Sequence, residues 1–290
     1  MLLLAQPAPS GAIVVVDEHV AHASVDGGRT YHAIDGIAAS ESFFGGAMGA
    51  DGTFYGLHGD VIDVVHAGRV TTHAMPAARR VVVNGRTVAV LLDAAVAVSA
   101  DGGATFVVRA LPAPCTDCDT RLQGAVDFTV ANGSPFVVET SINTCTSYDV
   151  LEYQRLVQVG APTFQRSITV PRVDYAASWH FGAFGWMYGA SYAKRLVAVS
   201  AAGSTPVVVL GVGLGEVTGS IDVAHNDRVT VANIGGALVE LNGATARILD
   251  AHSKDGESLA VDGDDRPLVT DGKELWRFSR VTGWSKLAMP

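Results

Sequence analysis

The stretch SVDGGRTY, residues 24–31, decides how the chain is read, because it returns as SADGGATF at residues 99–106. The copies agree at Ser24/Ser99, Asp26/Asp101, Gly27/Gly102, Gly28/Gly103 and Thr30/Thr105, and each ends in an aromatic, Tyr31 or Phe106. Such a string makes a tight hairpin. Glycine supplies positive φ at no steric cost, and the Ser and Asp oxygens bond nearby amides. Thr and the aromatic then open the next strand. An eroded third copy, VSAAGSTPVVV at 199–209, lacks the Asp and has a turn one residue shorter.

Outward from these turns, nearly every segment is a short β-branched or alternating run closed by a glycine turn. Examples are AIVVVDEH (12–19), TFYGLHG (53–59), TVAVLLDA (87–94) and ALVELNG (237–243). Asp-Gly and Asn-Gly pairs fall at 51–52, 84–85, 101–102, 132–133, 242–243, 262–263 and 271–272, and no run has helical periodicity. A second register mark is the ending THAMP (72–76), VRALP (108–112), SITVP (167–171) and KLAMP (286–290). Proline cannot donate to a ladder and so suits the exit of an edge strand. These exits divide the chain into units 37–76, 77–112, 113–171, 172–212, 213–253 and 254–290. A period of roughly forty residues is that of propeller blades, each of about four strands. Residues 11–36 supply three more strands, and residues 1–10 either complete that blade or remain a tail or signal remnant. The expectation is an all-β chain: one β-propeller domain over 11–290, of seven blades (six is the alternative), with an enlarged blade at 113–171. Both octets then fall between the third and fourth strands of their blades.

Composition narrows the partners. The net charge is −9, the basic doublet Arg79-Arg80 reads as a strand start, and no block of Lys or Arg offers a nucleic-acid footprint. The longest apolar run, 88–100, is broken by Asp93 and is too short to cross a membrane. The start, MLLLAQPAPSGA, reads like the tail of a secretory signal without a basic n-region.

The pattern S-x-D-x-G-x-T-aromatic, carried by Ser24, Asp26, Gly28, Thr30 and Tyr31 and by Ser99, Asp101, Gly103, Thr105 and Phe106, resembles the Asp-box of BNR-repeat β-propellers. That superfamily includes sialidases, sortilin-like receptors and photosystem-assembly propellers. The resemblance implies a propeller whose Asp-boxes are structural turns remote from the active centre. A sialidase-like enzyme would further need an arginine triad, a Tyr–Glu nucleophile pair, an Asp acid and an Arg-Ile-Pro signature, and no Arg-Ile-Pro occurs. A glycosidase would need two facing carboxylates. Asp149, Glu152, Tyr153 and Arg155 are the residues that could serve if the chain were such an enzyme.

Cys115 and Cys118 form a C-x-x-C in the connection into unit 113–171, from the third to the fourth blade, and Cys145 follows within that longest unit. Blade connections and second-to-third-strand loops emerge on one face of a propeller, so a disulfide from Cys145 to Cys115 or Cys118 is geometrically sensible and favours export. A lone C-x-x-C is a weak zinc signal, and His19 and His22 suit a hairpin surface equally well, so no metal and no cofactor are expected. WHFGAFGWMYGASY (179–192) concentrates aromatics. It either fills the wedge between blades or offers Trp179, Trp186 and Tyr188 to a ligand. The glycines of GVGLGEVTG (211–219) lack the βαβ setting of a dinucleotide loop. The functional expectation is a non-catalytic, exported, monomeric binding or scaffold module for a protein or glycan. A glycoside hydrolase or sialidase-like enzyme is the alternative, and a lectin ranks third.

Overall fold

The computed structural model describes residues 3–4, 13–16, 20–35, 43–49, 51–111, 120–127, 135–143, 151–160, 165–167, 176–191, 194–200, 205, 207–211, 217, 221–226, 228–254, 256 and 258–289. Within them the runs picked out above pair as antiparallel sheets. The first holds β1 (Leu3–Leu4), β2 (Ile13–Val16), β3 (Ala21–Ser24) and β4 (His32–Ala33). The second holds β5 (Phe43–Met48), β6 (Phe54–His58), β7 (Val61–His66) and β8 (Arg69–Ala74). The third holds β9 (Arg80–Asn84), β10 (Thr87–Leu91), β11 (Ala95–Ser99) and β12 (Val107–Ala110). The fourth, in the longest unit, holds β13 (Thr120–Asp127), β14 (Phe136–Asn143), β15 (Leu151–Gln158) and β16 (Gln165–Ser167). The fifth holds β17 (Ala176–Phe181), β18 (Trp186–Ser191), β19 (Leu196–Ser200) and β20 (Val207–Val208). β21 (Leu210–Gly211) follows, then β22 (Asp222–His225), β23 (Thr230–Ile234), β24 (Ala237–Asn242) and β25 (Thr245–Asp250) of the sixth sheet. The seventh holds β26 (Ser258–Val261), β27 (Pro267–Thr270), β28 (Leu275–Ser279) and β29 (Gly283–Leu287).

The first strands touch in sequence: β1 meets β5, β5 meets β9, and so on through β13, β17, β22 and β26, which returns to β1. The sheets therefore stand radially about one axis, each beginning at the centre and ending at the rim. The fold is a single all-β propeller. Leu3–Leu4 contributes the axial strand of the first sheet by pairing with Val15–Val16.

Burial follows this radial order. Second strands lie between two neighbouring sheets and read as unbroken apolar runs, such as IVVV in β2 and TVAVL in β10, buried along almost their whole length. Outer strands face water: all four residues of β12 are exposed, and β8 has no buried position. The core is divided among the wedges between sheets. One wedge joins Tyr55, Ile62 and Val64 of the second sheet to Val81, Val88 and Val90 of the third.

One boundary differs from the sequence reading. Leu210–Gly211, assigned to unit 172–212, pairs instead with Thr245–Ala246 on the outer edge of the sixth sheet, in parallel. The chain leaves the fifth sheet through Val209 N–H to Leu196 O and joins the next through Leu210 N–H to Ala244 O. It thereby straps two sheets together at the rim.

Candidate ligand-binding site

Because each sheet zigzags outward, its first-to-second and third-to-fourth hairpins lie at one end of the propeller. The second-to-third hairpins and the connections between sheets lie at the other. Both octets sit between third and fourth strands, and so share the first end.

The two turns are built alike. Ser24 Oγ donates to Asp26 Oδ1 (2.9 Å) and accepts the Gly28 N–H (2.8 Å). Asp26 also accepts the amides of Arg29 and Thr30, and its Oδ2 accepts the Thr30 hydroxyl (2.7 Å). In the second copy Ser99 Oγ donates to Asp101 (2.7 Å) and accepts the Gly103 N–H (2.8 Å), while Thr105 donates its amide and hydroxyl to Asp101. These donors hold both carboxyls well below the usual range, led by the Thr30 hydroxyl for Asp26 and by the Thr105 amide for Asp101. Each turn is also fastened to the preceding sheet: Tyr55 Oη donates to Gly102 O, and Arg277 Nη1 donates to Gly27 O, both at 3.1 Å. With its acceptors spent on its own turn, neither aspartate is placed for acid–base chemistry.

At the axis the structure gathers charge from three sheets. Arg80 opens β9, His180 lies on β17 and Asp222 opens β22, all of them innermost strands. Burial, reinforced by the Arg80 charge, pushes His180 down to about 4, so its ring is neutral at physiological pH. Burial pushes the Asp222 carboxyl up, against the Leu259 and Val223 amides and the Arg80 charge, which favour its ionised form. The field of one guanidinium therefore acts on groups from two other sheets. Trp179, beside His180 in sequence, is buried, and its indole Nε1 has no hydrogen-bond partner among the described residues.

The other aromatic candidates are placed by packing. Tyr188 is fully buried among Ile221, Val223 and Ala232 of the sixth sheet, and burial raises its hydroxyl to about 12. Trp186 is half-buried, its indole lying over Gly243. Between them and Trp179, residues Ala183–Gly185 make one 3-10 turn. It carries Phe184 at φ 59°, exposed, and is anchored by Ala183 N–H to Thr230 Oγ1 at 2.8 Å. The segment thus fills the wedge between the fifth and sixth sheets with two of its rings and turns Phe184 outward.

Cys115, Cys118, Cys145 and Asp149 lie outside the described residues. Glu152, Tyr153 and Arg155 lie on β15 opposite Ile142, Ser141 and Glu139 of β14, and their side chains are outside the described set. Among the described residues no group of three His, Cys, Asp or Glu side chains is arranged to hold a metal ion. None of the described helices is long and apolar enough to cross a membrane.

Sequence reasoning missed the axial group. Arg80 reads as part of a strand start, and nothing in the sequence singles out His180 or Asp222. The available signal was positional: the first strand of each four-strand unit lines the axis of a propeller.

No protein-family model and no curated protein matches the sequence. Solved structures do match in fold. PorZ, described as an essential bacterial surface component of the type-IX secretion system of Porphyromonas gingivalis, superposes with a TM-score of 0.64 at 11% identity. The match covers 100% of this chain and 39% of PorZ. YCF48 from Cyanidioschyzon merolae gives 0.62 at 15% identity, covering 93% and 94% of the two chains. YCF48 bound to D1 peptide gives 0.58 at 10% identity, covering 92% and 90%. The class defined is that of β-propellers, and at these identities the likeness carries the fold alone.

Proposed function

We propose that this chain is a non-catalytic, exported binding module of the BNR-repeat kind, taking a protein ligand near the axis. The observation carrying this reading is the axial convergence of Arg80, His180 and Asp222 from three sheets. A ring of parallel innermost strands presents one strong cation beside a neutral imidazole and a carboxyl biased towards its proton. That set can hold a carboxylate or a backbone amide of a ligand. Support also comes from the YCF48 structure, which its own description says is bound to a peptide. Export is supported by the surface location stated for PorZ.

The runner-up is a glycoside hydrolase, which needs two carboxylates across the axis. Among residues whose side chains are described, Asp222 is the one acid on an innermost strand. The deciding experiment pairs a peptide array with turnover assays on fluorogenic glycosides. Peptide binding that is lost in Arg80→Gln, without glycoside turnover, is expected. Turnover that disappears on neutralising Glu152 or Asp149 would replace the binding module with a hydrolase. Glycan binding without turnover would redirect the reading to a lectin.

A further inference from the structure

At the octet end the sixth and seventh sheets part to leave a half-open cavity of about 490 Å³. That lies within the range of small-ligand sites, about 300–1,000 Å³. Its apolar lining is Val229, Val231, Leu249, Pro267 and Phe278, and its rim carries Arg228, Arg266 and Arg280 against Glu240, Asp264 and Asp265.

The charges balance in number but not in unused bonding capacity. Glu240 accepts Arg247 through Nε and Nη2 (3.1 and 2.5 Å) on one oxygen and Arg280 Nη2 on the other. Asp265 Oδ1 takes Arg228 Nε (3.0 Å) and Asn226 Nδ2 (2.7 Å), and Asp264 takes Arg266 Nη2. Beneath the rim, buried Asp262 accepts the amides of Asp264 and Arg266 and the Arg266 Nε. Glu240 therefore has both oxygens engaged, and each aspartate at least one. Each guanidinium has five N–H donors, and these bonds engage Arg228 through Nε and Nη2 and Arg280 through Nη2. The Nη1 donors of Arg228 and Arg280 are not used by them. A cation entering the cavity would find both Glu240 oxygens taken and one oxygen each of Asp264 and Asp265 unengaged by these bonds, whereas an anion would find the planar donors of two guanidiniums over an apolar floor.

We propose that this cavity binds an organic carboxylate joined to an apolar body, the body lying on Phe278 and the part-exposed Leu249 and the carboxylate on Arg280 and Arg228. Both a free carboxylic acid and the C-terminal residue of a polypeptide present that chemistry.

The test titrates the full chain with 3-phenylpropionate, its uncharged amide and 2-phenylethylammonium, with NMR or calorimetric detection. The expected result is saturable one-to-one binding of the acid, with a dissociation constant on the order of 1 mM for a ligand of this size. The amide and the Arg280→Gln variant should bind about tenfold more weakly, and the ammonium should not bind. Leu249→Trp, which fills the cavity from its part-exposed side, should abolish binding, and circular dichroism would check that the variant is folded. Equal affinity for acid and amide, stronger binding of the ammonium, no saturation at 20 mM, or an unaffected Arg280→Gln would each overturn the proposal. A tripeptide ending in phenylalanine that binds more tightly than the free acid would assign the site to a chain terminus. Weaker binding of the tripeptide would assign it to a free acid. The Arg80→Gln variant, silent at this site, separates a failure here from a failure of the axial reading.

Discussion

The octets at 24–31 and 99–106 form the same turn, yet they are tied to their neighbours by different chemistry. In the second copy the Gly102 carbonyl accepts a neutral phenol, Tyr55, from the second sheet. In the first, the Gly27 carbonyl accepts a guanidinium, Arg277, from the seventh sheet, and the Gly28 carbonyl also accepts the Ala288 N–H at 3.2 Å. The second copy joins sheets consecutive in the chain. The first joins the two ends of the chain and completes the circle, so no covalent connection assists it. The closing contact has the stronger, charge-assisted donor and an additional backbone bond. What repeats is the local turn, and what varies is how each wedge is fastened.

Glycine substitutions should expose that difference most sharply. Gly28 and Gly103 lie at φ +82° and +88°, so an alanine at either is strained. At Gly103 the new Cβ would stand 2.9 and 3.1 Å from the branched methyls of Val64 and 3.0 Å from the Tyr55 ring, which have little freedom to withdraw. At Gly28 it would meet the far ends of Leu287, Tyr31 and Ile13, which can rotate aside. Gly103→Ala should cost about 2–4 kcal/mol in urea unfolding, the sum of a left-handed residue and an overpacked wedge. Gly28→Ala should cost about 1–2 kcal/mol. Equal losses would show that backbone strain alone matters.

Removing the two donors comes next. Arg277→Met should cost about 2 kcal/mol, because a part-buried charged donor is lost and buried Asp262 keeps one cation fewer nearby. Tyr55→Phe removes one neutral hydrogen bond without opening a cavity and should cost about 1 kcal/mol. A larger loss for Tyr55→Phe would reverse the argument that the closing wedge depends more on its staple.

Much of the fold was legible before any coordinates, for reasons visible in single segments. TVAVL in β10 can only be a strand buried on both sides, and the two octets set the blade phase because their glycines admit one kind of turn. Proline at 76 and 112 marked the end of a blade because an outer strand needs no partner for that missing amide. The parallel pairing of Leu210–Gly211 was not legible: two residues carry no period, and their partner lies 35 positions away. The axial group was hidden for another reason. One arginine, one histidine and one aspartate on separate strands look like ordinary solvated positions until the sheets are arranged in a circle. The aromatic segment lay between these cases, because its composition announced a packed or binding surface but not which rings would face inward.

The smallest expected effect concerns acid, and it tests whether the two turns are equivalent in themselves. Asp26 and Asp101 are both held below their unfolded value of about 3.9 by the donors of their own turns. A depressed carboxylate adds stability above its unfolded pKa, and that contribution is lost as pH falls through the folded value. Between neutral pH and about 4 the octets should therefore be indifferent to acid, with their contribution fading only below that. His180 behaves differently: its folded value is about 4 against about 6.5 unfolded, so stability should already decline as pH falls from about 6.5 towards 4. Melting curves across this range should lose their upper slope in His180→Gln and keep it in Asp26→Asn and Asp101→Asn. The two Asn variants should differ from the parent at pH 7 and begin to approach it only in strong acid, to the same extent in both copies. A larger shift for Asp26→Asn would mean that the nearby Arg277 is coupled to that carboxylate, and that the closing turn differs from its copy within the turn as well as in its staple.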